Sequence, residues 1–229
     1  FEFKTIAGVP VIVAKDFFKF PDKVHDFFIN GYWWDNFSDD NVRPGKSFLI
    51  QDEVIHWFIT PFVQALSPLF GLKYFDSDCV FGNCFNGNMP IVNPLSAFPH
   101  TDQPNGFIPD AHIALNIPLV HSEYPISTGF WSFNGKKTTL DMSHNDMRDM
   151  KNFQREVNKD VMTDDAKWFQ IKDYGPWKLD GKSDMVYNEM TCYPTYFFHN
   201  PYVETNWFTT TDRITISAFL NTSPKNLDF

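Results

Sequence analysis

From about residue 73 the chain is written in short aromatic and β-branched runs, each closed by Gly, Pro or Asn, and this texture most restricts the fold. The runs are Tyr74–Asn86, Ala97–Thr101, Ala111–Val120, Gly129–Phe133, Met185–Met190, Pro194–His199 and Arg213–Leu220. Most are too short for a stable helix, and their punctuation is that of turns. Several such strands joined by turns predict an antiparallel sandwich or barrel.

The remaining segments read differently. Residues 8–14 are a β-branched strand, and Lys19–Gly31 reads as a helix, with Pro21 at an early position and Gly31 at its stop. Val54, Phe58, Phe62 and Ala65 recur at helical spacing and predict a second helix over 52–66. The charged stretch 135–182 interrupts the strands. Within it Met147, Met150, Phe153 and Val157 fit one apolar helical stripe, and Thr163-Asp164-Asp165 is suited to cap a shorter helix leading to Trp168 and Phe169. The expected organisation is one domain: a strand and helices over 1–72, a β core over 73–134 and 183–229, and a helical insert over 135–182. The insert is expected over one mouth of the barrel, as a solvated helical face or as a lid.

The chain has 229 residues, 43% of them hydrophobic and 26 of them Phe, enough for a large core without disulfide staples. Its three cysteines, Cys79, Cys84 and Cys192, form no CxxC pair, so a reducing, cytoplasmic setting is expected. A formal net charge of −9 with no Lys/Arg block counts against nucleic acid as a partner. No 18-residue apolar run predicts a membrane span, and the first residues lack the pattern of a signal peptide. Beginning on Phe1, the chain is expected to have lost its natural N-terminus.

Phe98-Pro-His100-Thr-Asp102-Gln103 carries the first chemical signal. On an extended segment residues i and i+2 face the same way, so His100 and Asp102 offer an imidazole and a carboxylate together. His199 closes the run Thr195-Tyr-Phe-Phe-His199 and is the candidate third ligand. Two histidines and one carboxylate leave coordination positions open, the arrangement of non-haem iron(II) oxygenases. The bland reading of an HxD is a structural hydrogen bond. On the last strand Arg213, Thr215 and Ser217 share one face and Ile214, Ile216 and Ala218 the other. An inward guanidinium needs an anion. A ligand carboxylate would serve, and so would Asp212 or Glu204. For His25, His56, His112, His121 and His144 a structural or surface role is the better reading. The same holds for core packing of Trp33, Trp34 and Trp131 against a role in lining a substrate groove.

The order HxD, distant His, then Arg on the final strand resembles the 2-oxoglutarate/iron(II) dioxygenase superfamily, and within it the prolyl-4-hydroxylase-like branch. His100-Thr-Asp-Gln-Pro-Asn-Gly106, Ile113-Ala-Leu-Asn116 and Thr128-Gly129-Phe-Trp131 carry the likeness. Val11–Phe18, Pro21–Asn30 and Arg43-Pro-Gly45 are similar to the N-terminal part of a bacterial and phage group of such oxygenases. The resemblance implies a mainly β, cupin-like jelly roll, or double-stranded β-helix, with N-terminal helices. It implies Fe(II) on His100, Asp102 and His199, with 2-oxoglutarate as co-substrate held by Arg213, Thr215 assisting and Asn83 a further donor. It also implies O₂ and an unidentified small molecule or peptidyl residue as the other reactants, with hydroxylation and release of succinate and CO₂. Asp102, where halogenating relatives have a smaller residue, implies hydroxylation. The sequence departs from the branch in three places. Arg213 comes 14 positions after His199, so the connection Glu204–Asp212 is extended; Ala114 stands where a co-substrate Tyr is usual; and Trp131 replaces a smaller residue expected beside the pocket. Two rivals stand beside this reading. A cupin-type metal enzyme without 2-oxoglutarate predicts a solvent-facing Arg213. A metal-free carbohydrate-binding sandwich, with Trp33, Trp34 and Trp131 as platforms, predicts His100, Asp102 and His199 far apart.

Overall fold

The computed structural model describes residues 1–30, 46–49, 80–88, 98–102, 112–161, 175–204 and 206–221. The helices expected over 52–66 and after Thr163, and the pair Trp33-Trp34, lie outside these residues. Among the described residues ten strands form two antiparallel sheets. The larger has seven strands in the order β1 (Glu2–Ile6), β2 (Val9–Ala14), β8 (Met190–Pro194), β5 (His112–Pro118), β10 (Arg213–Asn221), β4 (Val80–Phe85) and β3 (Lys46–Leu49). The smaller has β7 (Trp177–Met185), β6 (Ile126–Phe133) and β9 (His199–Tyr202), and His100 extends it by bridging to His199.

Along the chain, β4 lies in the large sheet, His100 in the small, β5 in the large, β6 and β7 in the small, β8 in the large, β9 in the small and β10 in the large. That alternation between two facing sheets is a jelly roll, the double-stranded β-helix. The sheets close on a core in which Val9, Val11 and Val13 of β2 and Ala114 of β5 meet Phe130 of β6 and Tyr193 of β8. Alternation puts every second residue of β2 inward, so its β-branched run is one wall of this core.

Helix α1 (Pro21–Asn30) starts on Pro21, where a missing N–H costs nothing, and buries Val24 and Phe28, spaced i and i+4. Asn188 ties the segment before it to the barrel, accepting from the Phe18 N–H at 2.8 Å and donating to the Phe18 carbonyl at 2.9 Å. Asn188 lies in the left-handed region (φ 61°), which Asn tolerates better than most residues. Helix α2 (His144–Val161) follows a one-turn 3-10 helix at Thr139–Asp141. Its stripe is the expected one: Met150 and Val157 are buried, with Met147 and Phe153 packed beside them, while Arg148, Lys151 and Arg155 are exposed. No helix among the described residues is long and apolar enough to cross a membrane.

Several expectations need correction. Helix α2 does not sit over a barrel mouth: Met150 and Val157 pack on Trp131, Phe133, Trp177 and Tyr202, the outer face of the small sheet. Strand β7 begins at Trp177, inside the stretch assigned to the insert, because its Lys-Leu-Asp-Gly-Lys-Ser body is largely half-exposed and lacks an apolar alternation. Met185–Met190 and Pro194–His199, read as strands, are in the main the turns on either side of β8. Their apolar residues are in part buried outside a strand (Phe198) and in part exposed (Val186), so apolar content alone does not mark strands.

Candidate metal centre and anion pocket

The small sheet builds one wall of an interior pocket. His100 and His199 face each other in a narrow antiparallel bridge, each N–H donating to the other's carbonyl at 2.9 Å. Residues paired this way project to the same side, and the two imidazole centroids lie 4.9 Å apart. Asp102, two positions on, is held by its own N–H donating to the Thr195 carbonyl at 3.2 Å. One ligand-type atom from each of the three residues lies within 4.8 Å of the others. The other described histidines stay apart: His25 is beside Asp26, His121 lies on Tyr187, and His144 is exposed.

The imidazoles are oriented by backbone. His199 Nδ1 lies 2.8 Å from the Phe197 carbonyl and His100 Nδ1 lies 3.3 Å from the Phe98 carbonyl. A carbonyl only accepts, so both Nδ1 atoms carry hydrogen and both Nε2 atoms are left for other duty. His199 Nε2 is 2.8 Å from Asp102 Oδ2, and His100 Nε2 is 3.6 Å from Asp102 Oδ1. An Nε2 lone pair facing a carboxylate oxygen at that separation repels it unless a cation lies between them. Without a metal, a second ring proton takes that part. Burial presses the His199 pKa down, but the Asp102 carboxylate and the Phe197 carbonyl outweigh it and hold it above the ordinary histidine value. A divalent ion displaces such a proton, which is how neutral histidine ligands couple metal binding to proton release. The donor set of two imidazoles and one carboxylate therefore fits a divalent transition metal.

The large sheet builds the facing wall. Arg213, Thr215, Ser217 and Phe219 of β10 line the pocket with Asn83 of β4. Thr215 pairs in register with Asn83, and Asn83 Nδ2 donates to Ser217 Oγ at 3.0 Å. The opposite face of β10 carries Ile214, Ile216 and Ala218, all buried, as the alternation requires. Arg213 is only 5% exposed. Its Nη1 reaches Thr215 Oγ1 at 3.4 Å and its Nε is buried without a hydrogen-bond partner. Among the described residues no carboxylate lies within ion-pair distance of it, and Asp212 instead accepts from Asn86 at 2.9 Å. Burial lowers the guanidinium pKa to about 10, opposed by the Tyr193 phenol, so the group is still a cation at neutral pH.

Tyr193 and Asn116 also line the pocket, and the sequence reading assigned neither a role. Tyr193 was hidden because β8 is flanked by two apolar turns that blur its boundaries. Burial, then Asp102, push its phenol above the ordinary value, so it is neutral. Ala114 does face the pocket. Trp131 does not: it is buried on the other face of β6, where its Nε1 donates to Asn200 Oδ1 at 2.8 Å. Gly129 makes room for that bond, since a Cβ there would stand 2.8 Å from Trp131 Nε1.

No family model and no curated protein matches the chain. Among solved structures, it is similar to an N-substituted L-amino acid dioxygenase from Burkholderia ambifaria AMMD. The identity is 11% over 94% of this chain and 83% of that one, with a TM-score of 0.44. The same enzyme in complex with alpha-KG gives 11% identity over the same shares and a TM-score of 0.43. A likeness of this degree assigns neither a family nor a substrate.

Proposed function

We propose that the chain is a single-domain, cytoplasmic Fe(II)- and 2-oxoglutarate-dependent dioxygenase of the prolyl-4-hydroxylase-like branch. It hydroxylates an unactivated C–H of a small molecule or peptidyl residue. The observation that carries this reading is the buried Arg213. A cation with no described carboxylate partner, lining the same pocket as His100, Asp102 and His199, calls for an anionic ligand that reaches toward the metal side. A dicarboxylic keto acid has the right chemistry: one carboxylate for the guanidinium fork and a keto-acid end for a metal.

On this reading His100, Asp102 and His199 hold the metal, with their Nδ1–H bonds to Phe98 and Phe197 keeping Nε2 directed at it. Bound Fe(II) supplies O₂ activation coupled to conversion of 2-oxoglutarate to succinate and CO₂. Arg213 neutralises and orients the distal carboxylate, Thr215 adds a hydroxyl beside the guanidinium, and Asn83 braces that wall through Ser217. The burial of Arg213 itself keeps water from competing for the guanidinium. Asp102 fills the third ligand position and so favours hydroxylation over halogenation.

The rivals fare worse. A cupin-type enzyme without 2-oxoglutarate predicts a solvent-facing Arg213, and Arg213 is buried. A metal-free carbohydrate module predicts a dispersed triad and an accessible Trp131, but the triad converges and Trp131 is 1% exposed. The test is anaerobic addition of Fe(II) and 2-oxoglutarate, which should give the weak visible charge-transfer band of the chelate. His199→Ala should abolish it. No band in the unmodified protein, or an undiminished one in the variant, rejects the assignment.

A further inference from the structure

The large sheet ends on β1, and the residue pattern of that strand is complementary to itself. Ala7 (φ 54°) and Gly8 (φ 86°) both lie in the left-handed region, which makes the β1–β2 turn type I′. Such a turn closes on a pair that exchanges both backbone bonds, here Ile6 and Val9. Alternation then directs the N–H and C=O of Glu2, Lys4 and Ile6 at β2, and those of Phe3 and Thr5 away from it. Pro10 agrees with this phase, since it stands opposite Thr5, at a pair that asks no N–H of it. Among the described residues no strand lies beyond β1, and four of its five residues are exposed. Phe1 and Phe3 are 60% and 61% exposed. Glu2 and Lys4 share the other face of the strand, 3.4 Å apart.

Charges on an edge strand ordinarily keep copies apart. Here the two charges are opposite, and one arrangement turns that protection into attraction. Two copies of β1 pairing antiparallel about a two-fold axis must meet through the outward groups of Phe3 and Thr5. An axis at Glu2 would set Glu2 opposite Glu2, and an axis at Lys4 would set Lys4 opposite Lys4. An axis at Thr5 would run Phe3 into Ala7 of the turn. An axis at Phe3 sets each Glu2 opposite Lys4 of the second copy, at the closely spaced kind of pair where side chains interact most. It also sets Phe3 opposite Phe3, exchanging both backbone bonds, and lets the Thr5 N–H donate to the Phe1 carbonyl of the second copy.

We propose that a second copy of this chain pairs on β1, forming a symmetric dimer whose two-fold axis passes at Phe3. The two large sheets then join into one across the axis. A single edge strand buries less than the roughly 1,600 Å² of a standard interface, so the dimer is expected at about micromolar strength or weaker. It uses neither the metal wall nor the anion wall and stands apart from the dioxygenase reading.

The experiment is sedimentation velocity of the full chain at rising concentration, with nothing added. The mean mass should climb from one copy toward two. Glu2→Lys and Lys4→Glu should each weaken association about tenfold or more, because by symmetry each sets like charges opposite one another twice. An equimolar mixture of those two variants should recover the association, since every contact then joins opposite charges. Phe3→Pro removes an outward N–H and leaves the bonds to β2, so it should abolish association with little change in melting temperature. If Phe3→Pro loses the fold, the charge variants and their mixture decide alone. A mass that stays at one copy throughout overturns the proposal. Association that survives both single charge reversals lies on another surface and overturns it too. Loss in each single variant with no recovery in the mixture overturns the register, and the proposal with it.

Discussion

The two walls of the pocket are built on different principles. The metal wall takes its donors from two short stretches joined by one narrow bridge: His100 and Asp102 two positions apart, and His199 paired opposite His100. It presents lone pairs and negative charge. The facing wall presents hydrogens and positive charge, and gathers them from β4, β5, β8 and β10, residues up to 134 positions apart. A slip of one residue in the register of any of these strands would turn its contribution to the opposite face. The metal wall needs one correct bridge between two short stretches, whereas the anion wall exists only when the whole large sheet is in register.

The sharpest way to break that comparison is Arg213→Met. If the walls act independently, the variant binds 2-oxoglutarate roughly 100-fold or more weakly by anaerobic titration of the charge-transfer band, while Fe(II) binding survives. Its ligand-free form should also melt a few degrees higher, because a buried guanidinium without a described acid partner is replaced by an apolar chain of similar length. Loss of metal binding in this variant would show that the walls are one unit. Next in size, Met150→Ala on the outer face of the small sheet should destabilise the protein by about 2–4 kcal/mol in denaturant titration. It should leave the 2-oxoglutarate affinity where it was, since α2 packs behind the metal wall rather than over the pocket. A changed affinity would restore the reading of that helix as a lid. The smallest effect is expected at Glu189, just before β8. Burial raises its carboxyl pKa, against Lys4 and Lys15, so the folded state favours the neutral acid. Its share of stability is therefore present below the ordinary carboxylate pKa and lost as pH rises through the raised value. Glu189→Gln should melt slightly higher than the unmodified chain at neutral pH and no differently at pH below the carboxylate range. A gain at low pH instead would contradict the direction of the shift.

The helices were legible where amphipathic spacing or end signals were strong. Val24 and Phe28, and Met150 and Val157, fell on the faces their spacing required because one periodicity governs both sequence and burial. Strand limits were less legible around β7 and β8. Trp177–Met185 is half-exposed and polar, and Thr195-Tyr-Phe-Phe198 is apolar without being a strand. Trp131 shows the same limit at one residue: its bulk was visible, but the face it takes depends on the register of β6 and a bulge after Phe130.

By itself the sequence determined the candidate donors His100, Asp102, His199 and Arg213, the alternation that turns Arg213, Thr215 and Ser217 to one side, and an antiparallel sandwich or barrel as the class of the fold. These follow from residue type and periods of two and 3.6, which are local properties. Only the tertiary structure decided that His199 stands opposite His100, that Arg213 is buried without a described acid partner, and that hydrogen bonds join Asn83, Ser217, Asn116 and Tyr193 across the large sheet. Those facts rest on which strands are neighbours and in what register. Neighbourhood and register are settled by packing the whole barrel, and no local spacing encodes them.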